Sequence, residues 1–157
     1  MILSRIHRQM FCGAVVFAAA AGPALAEPSL VHQEVDFASP PARVYAALLD
    51  DKQFGALTGA PAMIAPKEGG AFSLFGGAIV GRNVELAPGK RVVQAWRDAA
   101  WKPGTYSMVK FELTPRGGGT HLMLDQTGYP DGEYHPLSIG WPAHYWTPMK
   151  KFFHEKR

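Results

Sequence analysis

The chain has 157 residues, of which 47% are hydrophobic, and its 16 lysines and arginines slightly outnumber its 13 aspartates and glutamates. This length predicts one domain with its own hydrophobic core. The basic residues form no cluster of the kind that binds nucleic acid, so we expect no nucleic-acid partner.

The first 26 residues are predicted to be a signal peptide. Arg5 and Arg8 provide a positive start, and an apolar stretch follows from Phe11 to Ala21. That stretch is too short to span a bilayer securely. The segment Ala24–Ala26 then matches the small-x-small pattern that signal peptidase cleaves. The alternative is a retained anchor helix.

We expect cleavage between Ala26 and Glu27, which would leave a mature domain of residues 27–157 in the periplasm or outside the cell. The leader contains two of the 16 basic residues and none of the 13 acidic ones, so the remainder has a net charge of 14 minus 13, or +1. Cleavage also removes the single cysteine, Cys12. The mature chain is therefore expected to have no disulfide, no thiolate metal site and no membrane span.

A strand and two short helices are predicted at the start of the mature domain. Apolar residues alternate with acidic ones from Val31 to Phe37, which is typical of a half-buried strand. Ser39 is expected to cap the first helix, with proline in its first turn. The second helix is expected to have Asp50 or Asp51 as its cap and to end near Gly59.

Five strand-like segments follow, separated by turns rich in glycine and proline. Connections this short favour antiparallel neighbours. The glycine clusters do not lie between a buried parallel strand and a helix, so we interpret them as turns rather than phosphate sites. The predicted strands are Ala71–Phe75, Ile79–Leu86, Arg91–Arg97, Tyr106–Thr114 and Thr120–Thr127.

A C-terminal helix is predicted from Gly140 to Phe153. Its apolar residues recur at the spacing of one helical face. Pro142 is expected in the first turn, whereas Pro148 falls inside the helix and should bend it. One apolar helix after a run of strands predicts a sheet wrapped around that helix. The residues of the apolar face are Trp141, Tyr145, Met149 and Phe152.

The ordered motifs of the chain resemble the C-terminal-type domain of the activator of heat-shock protein 90 ATPase, within the START-like, helix-grip superfamily. The resemblance covers about Tyr45 to Phe153. The motifs are Gly69–Gly77, Gly81 and Glu85–Lys90, Val93–Arg97, Trp101–Gly104, Gly119–Leu122, and Gly140-Trp141 with Tyr145 and Phe152.

The resemblance implies an α+β helix-grip fold: a curved antiparallel sheet around a long C-terminal helix, with two short helices after the first strand. It also implies a possible protein partner of the co-chaperone kind. The eukaryotic co-chaperone has a separate N-terminal domain, for which we expect no room in this chain. Relatives in the wider superfamily bind lipids or hydrophobic ligands, and a few are cyclases or dehydratases. Fold alone does not choose among these functions.

Strand alternation predicts three polar side chains on otherwise apolar inner faces of the sheet. Gln94 shares a face with Trp96, while Ser107 and Gln126 lie on the inner faces of later strands. Buried amides need hydrogen-bond partners. These groups therefore either bond to one another in a filled core or orient a ligand.

Arg82 and Asn83 compete for one inward position. Val80, Val84 and Leu86 favour Arg82 inside by strict alternation, which would make it a hook for a carboxylate. The family pattern instead favours Asn83 inside, with a bulge near Glu85.

The function expected from these features is binding of a small hydrophobic or amphipathic ligand between the sheet and the C-terminal helix, by a monomer without cofactor. The histidines show no metal-ligand spacing, so no metal is expected. A cyclase or dehydratase and a co-chaperone-like interaction module are the alternatives. The expected ligand contacts are Phe54, Asn83, Gln94, Trp96, Ser107, Gln126, Trp141, His144 and Tyr145.

Two further features bear on that choice. His144 is the histidine nearest the expected pocket, and it is either a general base or a rim residue. The segment from Tyr129 to Pro136 is either a lid over the pocket mouth or an ordinary connection.

Overall fold

The computed structural model describes residues 26–155, so the predicted leader lies outside the described residues except for Ala26. A seven-stranded sheet in the order β1-β7-β6-β5-β4-β3-β2 forms one layer, and every neighbouring pair is antiparallel. The strands are β1 (Leu30–Phe37), β2 (Met63–Ile64), β3 (Ala71–Leu74), β4 (Ile79–Ala87), β5 (Arg91–Asp98), β6 (Ser107–Arg116) and β7 (Gly119–Thr127).

Helices cover the inner face of this sheet and confirm the predicted α+β helix-grip fold. Two short helices follow the first strand, and a long helical run closes the chain. Among the strands, the short edge strand β2 is the one that the sequence pattern did not predict. The helices are α1 (Pro41–Leu49), α2 (Asp51–Thr58), α3 (Tyr134–Trp141) and α4 (Thr147–Glu155), with a π-helical segment, Pro142–Trp146, joining the last two.

The two short helices begin differently. Asp50 caps α2 as predicted, because its Oδ1 accepts from the Gln53 N–H at 2.8 Å. The predicted cap by Ser39 is wrong. The N-cap of α1 is Pro40, whose carbonyl accepts from the Arg43 N–H at 3.0 Å. Ser39 lies one residue too early, and its buried hydroxyl has no hydrogen-bond partner within residues 26–155.

A bulge in β4 decides which of two neighbours points inward. The register with β5 shifts between Asn83 and Glu85. Asn83 is 1% exposed, whereas the exposed side chain of Arg82 donates to the Gly69 carbonyl at 2.9 Å. The prediction that Asn83 lies inside with a bulge near Glu85 is confirmed. Arg82 as an internal hook for a carboxylate is therefore wrong.

The C-terminal helix is longer than predicted, because it begins at Tyr134 rather than near Gly140. Pro142 therefore lies well inside the helical run, not in its first turn. The chain accommodates Pro142 and Pro148 with a π turn, in which the Thr147 N–H donates to the Pro142 carbonyl. No helix in the described range is long and apolar enough to cross a membrane.

The hydrophobic core lies between the inner face of the sheet and this helix. Trp141 contacts Phe111 of β6 edge to face at 5.7 Å, and Phe37 of β1 contacts Phe153 at 5.6 Å. Met149 is fully buried between these contacts and the rest of the core. The apolar face predicted for the helix is thus mainly core.

Candidate functional site

A cleft of about 320 Å³ opens where the helix α3 and the π segment face the ends of β4 and β5. Its volume falls at the lower end of the range of about 300–1,000 Å³ for small-molecule sites. The lining residues are Phe75, Ala78, Ile79, Trp96, Asp98, Glu133, Pro136, Leu137, Gly140, Trp141, His144 and Tyr145.

Aromatic rings form the wall of the cleft. Trp141 lies 5.8 Å from Trp96 and 4.4 Å from Tyr145, measured between ring centroids. Phe75 contacts Tyr145 edge to face at 5.5 Å and closes the opposite side. Residues 141 and 145 are one helical turn apart, which is why both reach the same space.

Phe75 has an unusual backbone. It is the one residue other than glycine with positive φ in the described part of the chain, at 53°. That conformation is rare for a bulky side chain and costs free energy. The following residue is tied down, because the Gly76 N–H donates to the Pro61 carbonyl at 2.9 Å. The turn thereby holds the Phe75 ring against Phe54, 5.4 Å away, and against the cleft.

The charged residues of the cleft are acidic except for His144. Asp98 ends β5, and Glu133 immediately precedes α3. The exposed His144 ring lies 6.0 Å from the Phe75 ring, and it makes no hydrogen bond to any residue from 26 to 155. Burial raises the pKa of the Tyr145 phenol, and the adjacent Trp96 indole N–H opposes part of that rise. Tyr145 is therefore a neutral group in the wall.

A chain of buried hydrogen bonds lies behind the cleft wall. The Trp141 indole N–H donates to Gln126 Oε1 at 2.8 Å, and Gln126 Nε2 donates to Ser107 Oγ at 2.9 Å. The Ser107 hydroxyl donates in turn to the Trp96 carbonyl at 3.1 Å. These polar groups therefore bond to one another, the first of the two alternatives left open by the sequence.

A second pair of buried amides lies further along the sheet. Gln94 Nε2 donates to Asn83 Oδ1 at 3.0 Å, and Asn83 Nδ2 donates to the Ala65 carbonyl at 2.9 Å. This pair ties the segment before β3 to the inner face of β4 and β5. Neither amide lines the cleft.

One buried donor on the cleft wall has no partner. The Trp96 indole N–H lies close enough to the Tyr145 hydroxyl to lower the pKa of that phenol in part, but the two groups do not reach hydrogen-bonding geometry, and no other group in the described range accepts from this N–H. Trp96 is only 4% exposed. An unpaired buried donor is uncommon and costs free energy.

Of the nine residues expected to contact a ligand, the structure brings Trp96, Trp141, His144 and Tyr145 together around the cleft. Phe54 lies behind the wall, with its ring 5.6 Å from that of Tyr145. The other expected contacts belong to the internal hydrogen bonds. These residues are Asn83, Gln94, Ser107 and Gln126.

The sequence analysis missed three important lining residues. Phe75 stands before two glycines, which gave a turn signal but no indication of its positive φ. Asp98 is the last residue of a strand, and Glu133 immediately precedes a helix. Only the packed structure brings the two residues to one opening. Part of the Tyr129–Pro136 segment borders this opening. It also contacts the start of the domain, because the Tyr129 hydroxyl donates to the Pro28 carbonyl at 2.6 Å.

Comparison with known proteins gives one family. The family model described as Activator of Hsp90 ATPase homolog 1-like protein matches residues 38–154. An Activator of 90 kDa heat shock protein ATPase homolog from Dictyostelium discoideum is 32% identical over 119 residues, which are 75% of this chain and 31% of that protein. The human homolog 1 is 27% identical over 117 residues, 74% of this chain and 35% of that protein.

The chain thus spans about a third of the length of these curated relatives. Among solved structures, an HSP90 activator from Plasmodium falciparum superposes with a TM-score of 0.75 at 24% identity. The match covers 79% of this chain and 95% of that one. At this identity the likeness establishes the fold alone.

Proposed function

The chain belongs to the family of Activator of Hsp90 ATPase homolog 1-like proteins, and from this premise we propose that it binds a small amphipathic ligand in the cleft beside α3. The observation that carries the proposal is the cleft itself, with aromatic walls and ionisable groups among its lining residues. Concave apolar sites with a few polar groups are typical of small-molecule binding.

The polar interior supports this location for the ligand. The amides of Gln94 and Gln126 already have protein partners, so a ligand is not needed to satisfy them. The buried Trp96 indole N–H lacks a hydrogen-bond partner among the described residues, and Trp96 is one of the residues that line the cleft. A ligand that brings an acceptor atom to Trp96 would satisfy this donor.

Gly140 offers a direct test, because it lines the cleft and a side chain fits there. The nearest atom to a Cβ built at this position is His144 Cδ2, at 4.0 Å. Gly140→Leu is therefore expected to fill the cleft while favouring the helix, where glycine costs about 1 kcal/mol relative to alanine. Ala143→Leu is the matched control, because Ala143 is exposed on the same helical run and does not line the cleft.

The experiment is native mass spectrometry of each protein purified from its source cells. We expect a small-molecule adduct on the wild type and on Ala143→Leu, and none on Gly140→Leu. An adduct retained by Gly140→Leu, or no adduct on any of the three, would contradict the proposal. The same spectra report the oligomeric state, for which we expect a monomer.

A second candidate is contact with an Hsp90-type ATPase, which is favoured by the names of the relatives. Met63 on the edge strand provides an exposed apolar side chain for such a contact, since its exposed fraction is 73%. Turnover of such an ATPase should then rise when the domain is added, and Met63→Asp should reduce the increase. Gly140→Leu should leave it unchanged, which separates this function from ligand binding.

The proposal includes export of the domain after removal of residues 1–26. The expected new terminal residue makes a contact with the domain, because the Glu27 carboxylate accepts from the Gly132 N–H at 2.9 Å. The mass of the protein isolated from its source cells tests this directly. A chain that begins at Glu27 agrees with the proposal, and an uncleaved chain contradicts it.

A further inference from the structure

We propose that the ligand of the cleft is a cation, namely an ammonium group joined to a flat or aliphatic body that carries a hydrogen-bond acceptor. This inference rests on the proposed function and specifies the chemical class of its ligand. Three features carry it: the carboxylates of the cleft, its aromatic wall and its unpaired donor.

The first feature is a pair of carboxylates without an ion-pair partner in the described range. Asp98 and Glu133 both line the cleft, and neither forms an ion pair with a residue of the described range. Acidic groups on the outer face of the sheet contrast with them, since Glu112 and Asp125 both pair with Lys110 at 3.1 Å. Two carboxylates beside a low-polarity space attract a positive ligand.

Among the residues that the structure describes, no lysine or arginine lines the cleft to compete for these carboxylates. His144 is the one basic side chain among the described lining residues, and its ring packs on the Phe75 ring. The Tyr145 phenol is neutral, because burial raises its pKa. The carboxylates of Asp98 and Glu133 therefore give the cleft a negative potential.

The aromatic wall provides the second part of the recognition. A cation within about 6 Å of a ring centroid is attracted to the ring face, most strongly for tryptophan. Trp96 and Trp141 are 5.8 Å apart, and Tyr145 lies 4.4 Å from Trp141. The three rings pack against one another and together form one wall of the cleft, on which an alkylated ammonium group is favoured over a hydrated one.

The third feature is the Trp96 indole N–H, which is buried and has no partner in the described part of the chain. It calls for an acceptor atom on the ligand. A ligand with an ether or hydroxyl oxygen beside its ammonium group has both the acceptor for this N–H and the positive charge for the carboxylates.

Three probes with one phenoxy group and different charge test the inference: (2-phenoxyethyl)trimethylammonium, 2-phenoxyethanol and phenoxyacetate. Each contains the ring and the ether oxygen. Dissociation constants are measured for the full domain by titration calorimetry. We expect the cation to bind about tenfold more tightly than the neutral probe, and the anion to bind most weakly.

Variants of single residues test which side chains cause the preference for the cationic probe. Asp98→Asn and Glu133→Gln should each weaken binding of the cationic probe about threefold and leave the affinity for the neutral probe unchanged. Asparagine at position 98 retains the Oδ1 that accepts from the Ala100 N–H at 2.8 Å, so the turn should persist. Asp131→Asn is the matched control, because this exposed loop residue does not line the cleft.

Two results would overturn the inference in distinguishable ways. Equal binding of the three probes, blocked by Gly140→Leu, would refute a cationic ligand while leaving ligand binding in the cleft intact. Binding of none of them would count against both the inference and the proposed function.

Discussion

Gln33 supplies the hydrogen bond that Pro142 cannot make in the C-terminal helix. Proline has no backbone N–H, so the carbonyl of Ser138, one turn earlier, lacks its usual intrahelical donor. Gln33 Nε2 donates to that carbonyl at 2.7 Å, and Gln33 Oε1 accepts from the Trp146 indole N–H at 2.6 Å. One side chain of β1 therefore holds the helix just before the π segment, at Ser138, and at its last residue, Trp146.

Replacing Gln33 should destabilise the domain. Gln33→Leu removes both hydrogen bonds and leaves the largely buried Trp146 N–H unpaired, which should lower the free energy of unfolding by about 2 kcal/mol. Urea unfolding measures this loss. Gln53→Leu is the control, since Gln53 is equally half-buried and its side chain makes no hydrogen bond within the described range. Equal losses in the two variants would contradict the bridging role.

Gln126 should matter for stability and not for ligand affinity. Gln126→Leu leaves the Trp141 N–H without its acceptor and should lower the free energy of unfolding by about 2 kcal/mol. The side chain lies behind the wall, so the affinity for the cationic phenoxy probe should change less than about twofold. Urea unfolding and calorimetry measure the two quantities. A large loss of affinity at unchanged stability would place Gln126 in contact with the ligand.

Phe75 should contribute to ligand binding through its ring and should lower the stability of the domain through its positive φ. Phe75→Ala and Phe75→Gly both remove the ring from the cleft, and each should weaken probe binding about tenfold. Because φ is 53° at this position, the glycine variant should be more stable than the alanine variant by about 1 kcal/mol. Calorimetry and urea unfolding test both statements. Equal free energies of unfolding for Phe75→Ala and Phe75→Gly would contradict the strained backbone at this position.

His32 should make stability depend on pH near neutrality. Its hydrogen bond to Asp125, followed by that to Glu34, raises the pKa of His32 above 6.5 in the folded state. A raised folded-state pKa gives stabilisation that is complete below the unfolded value, near 6.5, and is lost as the pH rises through the folded value. The urea midpoint should therefore fall as the pH rises from below 6.5 through the folded-state pKa of His32.

His32→Gln should reduce that fall. His32 is about half exposed, so the effect is modest. His135→Gln is the control, because His135 is exposed and makes no hydrogen bond or ion pair with a described residue. If both variants keep the full pH dependence, the pair between His32 and Asp125 is not its source.

Local patterns predicted the sheet well, because strand alternation and turn chemistry depend on neighbours in the sequence. They placed Gln94 and Ser107 on inner faces, and both are buried. The start of the last helix was missed, since Pro136 and the turn residues before it give a loop signal, whereas packing against the sheet favours a helix from Tyr134 onward.

The cleft was predicted only in part. The helix periodicity put Trp141 and Tyr145 on one face, and the strand pattern turned Trp96 toward them. Asp98 and Glu133 reach the same opening only because of the way the helix packs against the sheet, and no local pattern encodes that packing. The polar residues chosen from alternation are satisfied by one another, because hydrogen bonds between strands depend on register rather than on sequence spacing.

The most direct test of ligand binding in the cleft is an NMR titration of the indole N–H signals. The sequence contains four tryptophans, of which Trp96 and Trp141 line the cleft while Trp146 bonds to Gln33 on the far side of the helix. On addition of (2-phenoxyethyl)trimethylammonium, we predict a saturating shift of the Trp96 signal, a smaller one for Trp141, and little change for Trp146. A Trp96 signal that stays in place at saturating probe would contradict the account.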